Sequence, residues 1–203
     1  RALVGDQPVV LMGHSTGGFA ALATAAQYPE QVKSVISISG FVQGRWGGPL
    51  RLLQSEMRYG SVGEMMFRTS WNMVMSAPQV YYYSGGLYAH NRRAYFNYPD
   101  LYTHACRVYA DSKRHDVQGL AHYFARMPDT DIQDWLPRIC APTLVITGDQ
   151  DTIVPPQQAT QIAQHVPHAK LVCIPDCGHM VMTEQPTAYQ AAIQDWLTQY
   201  AVA

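Results

Sequence analysis

The stretch that most constrains this chain is Val9-Val10-Leu11-Met12 running into Gly13-His14-Ser15-Thr16-Gly17-Gly18. An apolar run of strand length meets Gly-x-Ser-x-Gly, and an alanine-rich, helix-forming run over 19–28 follows at once. A strand, a sharp turn and a helix in that order lift a serine hydroxyl clear of the strand end. They also point the N–H groups of the helix's first turn at the place where negative charge would develop. Gly13 and Gly17 are expected to be small because a side chain at either position would crowd the turn and the neighbouring backbone. Ser15 is the candidate nucleophile. The alternative is a serine in an ordinary structural turn, since short glycine-flanked serines recur by chance.

Around this turn the pattern is that of a parallel sheet. Residues 8–12 read as a strand and 17–27 as a helix that stops before Pro29. Residues 32–39 alternate and are β-branched, so they read as a second strand. Strand, helix and strand in sequence imply a right-handed parallel unit. Over 42–140 the strand signal fades, while Met, Tyr, Trp, Arg and His become frequent. Glycines and prolines divide that region into short helices predicted at 50–59, 63–75, 101–112 and 117–125. The sheet resumes at 142–148, followed by a loop, a helix over 157–165 and a strand over 169–174. A second loop then leads to a closing helix over 184–200, with Tyr189, Ile193, Trp196 and Leu197 at helical spacing. The expected organisation is a first core segment 1–41, a helical insertion 42–140 and a second core segment 141–203. Residues 1–7 read as the end of a helix entering a buried strand. A sheet that began at Val9 would lack neighbours on one side, so the chain is expected to be a fragment with strands missing upstream.

In an open parallel sheet the loops beyond the carboxyl ends of the strands share one edge. Ser15, Asp151 and His179 each fall just past the end of a predicted strand and can therefore meet. The chemistry needs each type. A serine hydroxyl needs a base within hydrogen-bond reach. Histidine, with an ordinary pKa near ~6.5, can take that proton and return it to a leaving group. A carboxylate fixes the imidazole tautomer and stabilises the imidazolium. The backbone N–H of Thr16, directly after the serine, is the natural first donor to an oxyanion.

Taken together, Gly-His-Ser-Thr-Gly-Gly, Pro-Thr-Leu-Val-Ile-Thr-Gly-Asp-Gln-Asp-x-x-Val-Pro and Cys-Gly-His-x-x-x-x-Glu-Gln-Pro resemble the α/β-hydrolase-fold serine hydrolases, in that family's order. The resemblance covers 8–41 and 141–201, and the middle of the chain looks like the family's variable helical cap. It implies an α/β fold with a mostly parallel sheet flanked by helices, Ser15 as nucleophile, Asp151 as acid and His179 as base. The implied substrate is a small carboxylic ester or related acyl compound, with no metal and no organic cofactor. The family usually takes its second oxyanion donor from a loop after a much earlier strand, and no such segment precedes Val9.

Other residues were weighed against these. Asp149 is expected to bond loop backbone, Asp176 to shape its loop, and His14 to pack the turn. Cys173, Cys177 and His179 do not make a zinc cluster, because Cys173 falls in a strand and no second Cys/His group follows. The many aromatic residues of the insertion, among them Trp71, Tyr81, Tyr82, Tyr83, Tyr95, Phe96, Tyr123 and Phe124, are expected to build its core, with a subset over Ser15. Arg45, Arg92 and Arg93 are expected to be solvated, and His104 and His115 to lie on the surface or pack in the cap. A formal net charge of −1 gives no basic stripe for nucleic acid. No apolar run approaches the roughly 18–20 residues of a membrane span. Four scattered cysteines favour free thiols, and with them a cytoplasmic location by default. Acyl transfer, carbon–carbon bond hydrolysis and a non-catalytic ligand-binding role on the same scaffold remain the alternatives; oligomeric state is open.

Overall fold

A computed structural model describes residues 5–200. Four strands, β1 (Val9–His14), β2 (Val32–Ile38), β3 (Thr143–Gly148) and β4 (Ala169–Ile174), form one parallel sheet in the order β1-β2-β3-β4. The central strands are buried almost throughout: β3 reads as a near-continuous apolar or β-branched run, whereas β2, which reads as alternating, buries its Ser34 and Ser37 as well. Helix α1 (Thr16–Gln27) packs on one face, where Leu22 and Ala25 meet Val35 and Val145. The opposite face is covered by the closing helix, whose Trp196 packs against Ile36, Leu144 and Ile146. The expectation of a helix end over 1–7 falls partly outside the described residues; Gly5 and Asp6 form a turn.

Between β2 and β3 lie six helices: α2 (Gly48–Glu56), α3 (Ser61–Val74), α4 (Pro78–Gly85), α5 (Arg92–Phe96), α6 (Leu101–Ser112) and α7 (Val117–Arg126). Two of these, α4 and α5, have no counterpart in the sequence reading. Helix α4 is a run of three tyrosines closed by Ser84 and Gly85, weak helix formers held by a proline at its start. Helix α5 is only five residues long and is capped by the Asn91 side chain, which accepts the Ala94 N–H at 3.0 Å. The segments that lead into and out of this region pair antiparallel, Gln43 opposite Asp131. There the Val42 and Gln43 N–H groups both donate to Gln158 Oε1 at 2.9 Å. The remainder of the chain runs through α8 (Pro156–His165), β4, the short α9 (Val181–Glu184) and α10 (Pro186–Tyr200). Glu184 thus ends α9, and the long closing helix starts at Pro186 rather than at 184.

The turn after β1 shows where small residues are required. Ser15 has φ 54° and ψ −115°, a conformation L-residues rarely adopt, and its N–H donates to Ile38 O at 2.8 Å. A Cβ on Gly13 would lie 2.2 Å from the Gly17 carbonyl carbon, so nothing larger fits. Gly17 itself does not conform to expectation: a Cβ there would meet nothing within 4 Å. The tight contact is one residue on, where a Cβ on Gly18 would stand 2.9 Å from Gly40 Cα and 2.9 Å from Ser37 Oγ. Helix α1 is thus pressed onto the end of β2 through Gly18. Gly13→Ala should cost more than about 2 kcal/mol of unfolding free energy. Gly17→Ala should be neutral or add up to about 1 kcal/mol, since alanine is the better helix residue. Urea denaturation of both variants checks the pair.

Candidate active site

The loops after β3 and β4 are fastened to each other before any reacting group is considered. Gln150 N donates to Cys177 O at 2.9 Å, and Cys177 N donates to Asp149 Oδ1 at 3.3 Å. A Cβ on Gly148 would lie 2.2 Å from Cys177 O, so the loops touch backbone to backbone. Asp149 therefore bonds backbone, but across to the neighbouring loop rather than within its own. Within this clamp Asp151 is buried, and its Oδ1 accepts the N–H groups of Ile153 and Val154, each at 2.9 Å. Its Oδ2 faces His179 Nδ1 at 2.7 Å, with both side chains almost wholly inaccessible. Donation from Nδ1 to a carboxylate leaves Nε2 as the acceptor nitrogen of the neutral ring.

The backbone of His179 is held as firmly as its ring. His179 O accepts from His14 Nε2 at 2.9 Å and from Ser39 Oγ at 3.2 Å, and His179 N donates to Tyr88 O at 3.2 Å. The His14 ring lies 4.7 Å from that of His179. Burial, reinforced by the positive charge His179 would carry, pushes the His14 pKa down to about 4, so this ring is neutral at physiological pH. Glu184 does further positioning that the sequence reading did not assign. Its buried carboxylate accepts three backbone N–H groups: Asn91 at 2.7 Å, Gly178 at 3.0 Å and Met180 at 3.1 Å. The Glu of Cys-Gly-His-x-x-x-x-Glu was the available signal, one helical turn beyond the histidine loop.

Ser15 and His179 both line one cavity of about 660 Å³, roofed by the helical region. Trp71, Tyr81 and Tyr95 line it, whereas Tyr82, Tyr83, Phe96 and Tyr102 pack edge-on among themselves. Phe124 packs with Trp46 and Phe67 in a cluster that also takes in Phe41, Ile153 and Val154, so these aromatic residues join the helices to the sheet's loops rather than forming a separate core. Tyr123 reaches down to Thr16, hydroxyl to hydroxyl at 3.0 Å. His104 and His115, expected on the surface or in packing, do line the cavity, from exposed positions. Arg45 donates to Pro128 O at 3.2 Å and does not reach the cavity. Among the described residues no group of three or more His, Cys, Asp or Glu is placed to hold a metal ion, and no helix is long and apolar enough to cross a membrane. All four cysteines are unpaired.

Glu184→Gln turns one of these acceptor oxygens into a donor facing backbone N–H. It should cost about 1–3 kcal/mol of stability, read by urea denaturation. His14 makes a pH prediction. Its folded pKa lies below its unfolded value near ~6.5, so the unfolded chain binds the extra proton. The stability from its neutral form is complete above pH ~6.5 and is lost as pH falls towards about 4. Melting temperature should fall more steeply across that window in the parent than in His14→Gln, measured by circular dichroism.

The sequence profile described as the alpha/beta hydrolase fold matches residues 1–186. RutD of Pseudomonas savastanoi pv. phaseolicola, provisionally named a carbamate hydrolase, is 27% identical over 96% of this chain and 69% of its own length. The 2-hydroxymuconate semialdehyde hydrolase of Pseudomonas putida is 26% identical over 97% of this chain and 64% of its own. This chain thus spans about two thirds of the length of these relatives. A thermophilic esterase from Thermogutta terrifontis superposes with a TM-score of 0.66 and 24% identity, covering 98% of this chain and 68% of that one; the likeness shows the fold. On a profile match over most of its length, the chain belongs to the α/β-hydrolase fold family.

Proposed function

We propose that this chain is a serine hydrolase acting on a carboxylic ester or related acyl compound, with Ser15 as nucleophile, His179 as general base and Asp151 as the acid that orients it. The observation that carries this reading is the buried 2.7 Å bond from His179 Nδ1 to Asp151 Oδ2, on a histidine that shares a cavity wall with Ser15. That bond directs the basic nitrogen, Nε2, away from the carboxylate. Once an acyl group is seated, a hydrogen bond from Ser15 Oγ to Nε2 delivers the hydroxyl proton, and Oγ attacks the carbonyl carbon. Thr16 opens helix α1, so its N–H has no intrahelical partner and serves the oxyanion. The proton then passes from His179 to the departing alkoxide, leaving an acyl-Ser15. His179 next deprotonates water, which attacks the acyl carbon; the acyl C–Oγ bond breaks as His179 returns the proton to Ser15 Oγ, and the free acid leaves. Neutral His14 supports the step in which His179 becomes cationic, because a second positive ring 4.7 Å away would oppose it.

The family match and the hydrolase names of its relatives support the reaction class. The helical region over 42–140 acts here as the cap that shapes the acyl site. A fluorophosphonate probe should add one label to the parent chain and none to Ser15→Ala by intact mass, and the variant should lose at least 1,000-fold in ester turnover. A folded parent that takes no label, or a variant that keeps full turnover, overturns the assignment.

A further inference from the structure

The cavity over Ser15 has a composition that says what kind of molecule fits. Its lining among the described residues contains no Lys, Arg, Asp or Glu. The ionisable groups on it are tyrosine phenols and four histidines, His14, His104, His115 and His179. Burial holds the Tyr88 and Tyr95 phenols up at about 12, and the nearby Tyr81 adds to both shifts. These hydroxyls are therefore neutral hydrogen-bonding groups at any physiological pH. His14 is neutral as well, while His104 and His115 sit where the cavity meets solvent. The walls between are apolar, with Trp71, Val74, Leu101 and Leu120 among them. Room is made for the phenols by small residues: a Cβ on Gly85 would lie 2.1 Å from Tyr95 Oη.

We infer that the site takes an uncharged acyl compound whose acyl part is extended, apolar and bulky enough to hold a ring, and that it turns away acyl groups carrying a carboxylate. This deepens the reading of Ser15 and His179 as the reacting pair and rests on it for the orientation of the substrate. A volume of about 660 Å³ is far more than an acetyl or propionyl group fills, and falls in the range of drug-sized ligands. Phenol hydroxyls can bond a carbonyl, ether or hydroxyl on such a molecule. They can also solvate a carboxylate, but they bring no positive charge, and an ion buried without a counter-ion is strongly penalised. An apolar ring has no ionic hydration to give up on entry and gains contact with the aromatic walls.

The test is equilibrium binding to the full chain carrying Ser15→Ala, which holds esters without turning them over, measured by isothermal titration calorimetry at pH 7.5. Dimethyl suberate and monomethyl suberate share one chain length and differ in a single negative charge. The diester should bind at least tenfold more tightly, and methyl 5-phenylpentanoate should bind at least as tightly as the diester. Val108 lines the cavity yet is 52% exposed, so Val108→Trp can occupy part of the space without disturbing a packed core. It should weaken the phenyl ester at least fivefold. A monoanion within tenfold of the diester, or a phenyl ester indifferent to Val108→Trp, overturns the inference. The fluorophosphonate label separates the two claims. An unlabelled parent with the charge preference intact removes the hydrolase reading alone, and a labelled parent without that preference removes this one alone.

Discussion

Everything at the carboxyl edge of the sheet depends on one buried carboxylate held by three hydrogen bonds. Asp151 is 4% exposed, so its carboxylate relies on protein donors. Two come from the backbone of its own loop, through Ile153 and Val154, and one from His179 in the next loop. An ion so deeply buried is tolerable only with such partners. The arrangement therefore fixes two loops at once: the acid loop cannot relax without orphaning donors, and the histidine loop cannot leave without exposing the charge. The bonds from Gln150 N–H to Cys177 O and from Cys177 N–H to the Asp149 carboxylate tie the same two loops again. The imidazole is consequently placed by the sheet itself, because both loops spring directly from paired strands.

The sheet carries two different loads. Its lower layers are a conventional double-sided core, with α1 on one face and Trp196 of α10 on the other. At the carboxyl edge the chain gives up that regularity. Ser15 adopts an unfavourable backbone conformation, and Gly13 and Gly18 let the turn and the helix approach closer than any side chain would permit. Strain of this sort persists only where the surroundings over-determine it. Here the surroundings are β1, the Ile38 carbonyl and the end of β2. The strained residue is thus supported by paired strands, while the aromatic-rich helices shape the cavity.

Much of this was legible in the residues. The strand–turn–helix at 9–27, the parallel sheet, and the placement of Ser15, Asp151 and His179 just past strand ends all follow from patterns with a short physical reach: apolar runs, β-branching and glycine at sharp turns. What escaped was long-range or compositional. The tyrosine-rich α4 has little helical propensity of its own and forms because tertiary packing overrides it. Gly17 looked constrained because the glycine pattern is symmetric, whereas only three-dimensional placement shows that Gly13 and Gly18 carry the close contacts. Glu184 was carried by the spacing of its motif but its role was not, and Gln158 had no signal at all. Gln158 serves backbone more than a hundred residues away, and a side chain that satisfies distant backbone leaves no signature in spacing.

The bond from His179 N to Tyr88 O, together with Glu184's hold on Asn91, has an evolutionary consequence. Residues 88–91 belong to the helical region that shapes the cavity, yet they are stitched directly to the loop that carries the imidazole. Drift that reshapes the cavity through this segment cannot leave the imidazole where it was. Mutational paths through 88–91 should therefore trade selectivity against rate, whereas paths through α3 or α6, which have no such stitch, leave the two free to vary separately. Diversification of chains built this way is expected to proceed by those outer helices first.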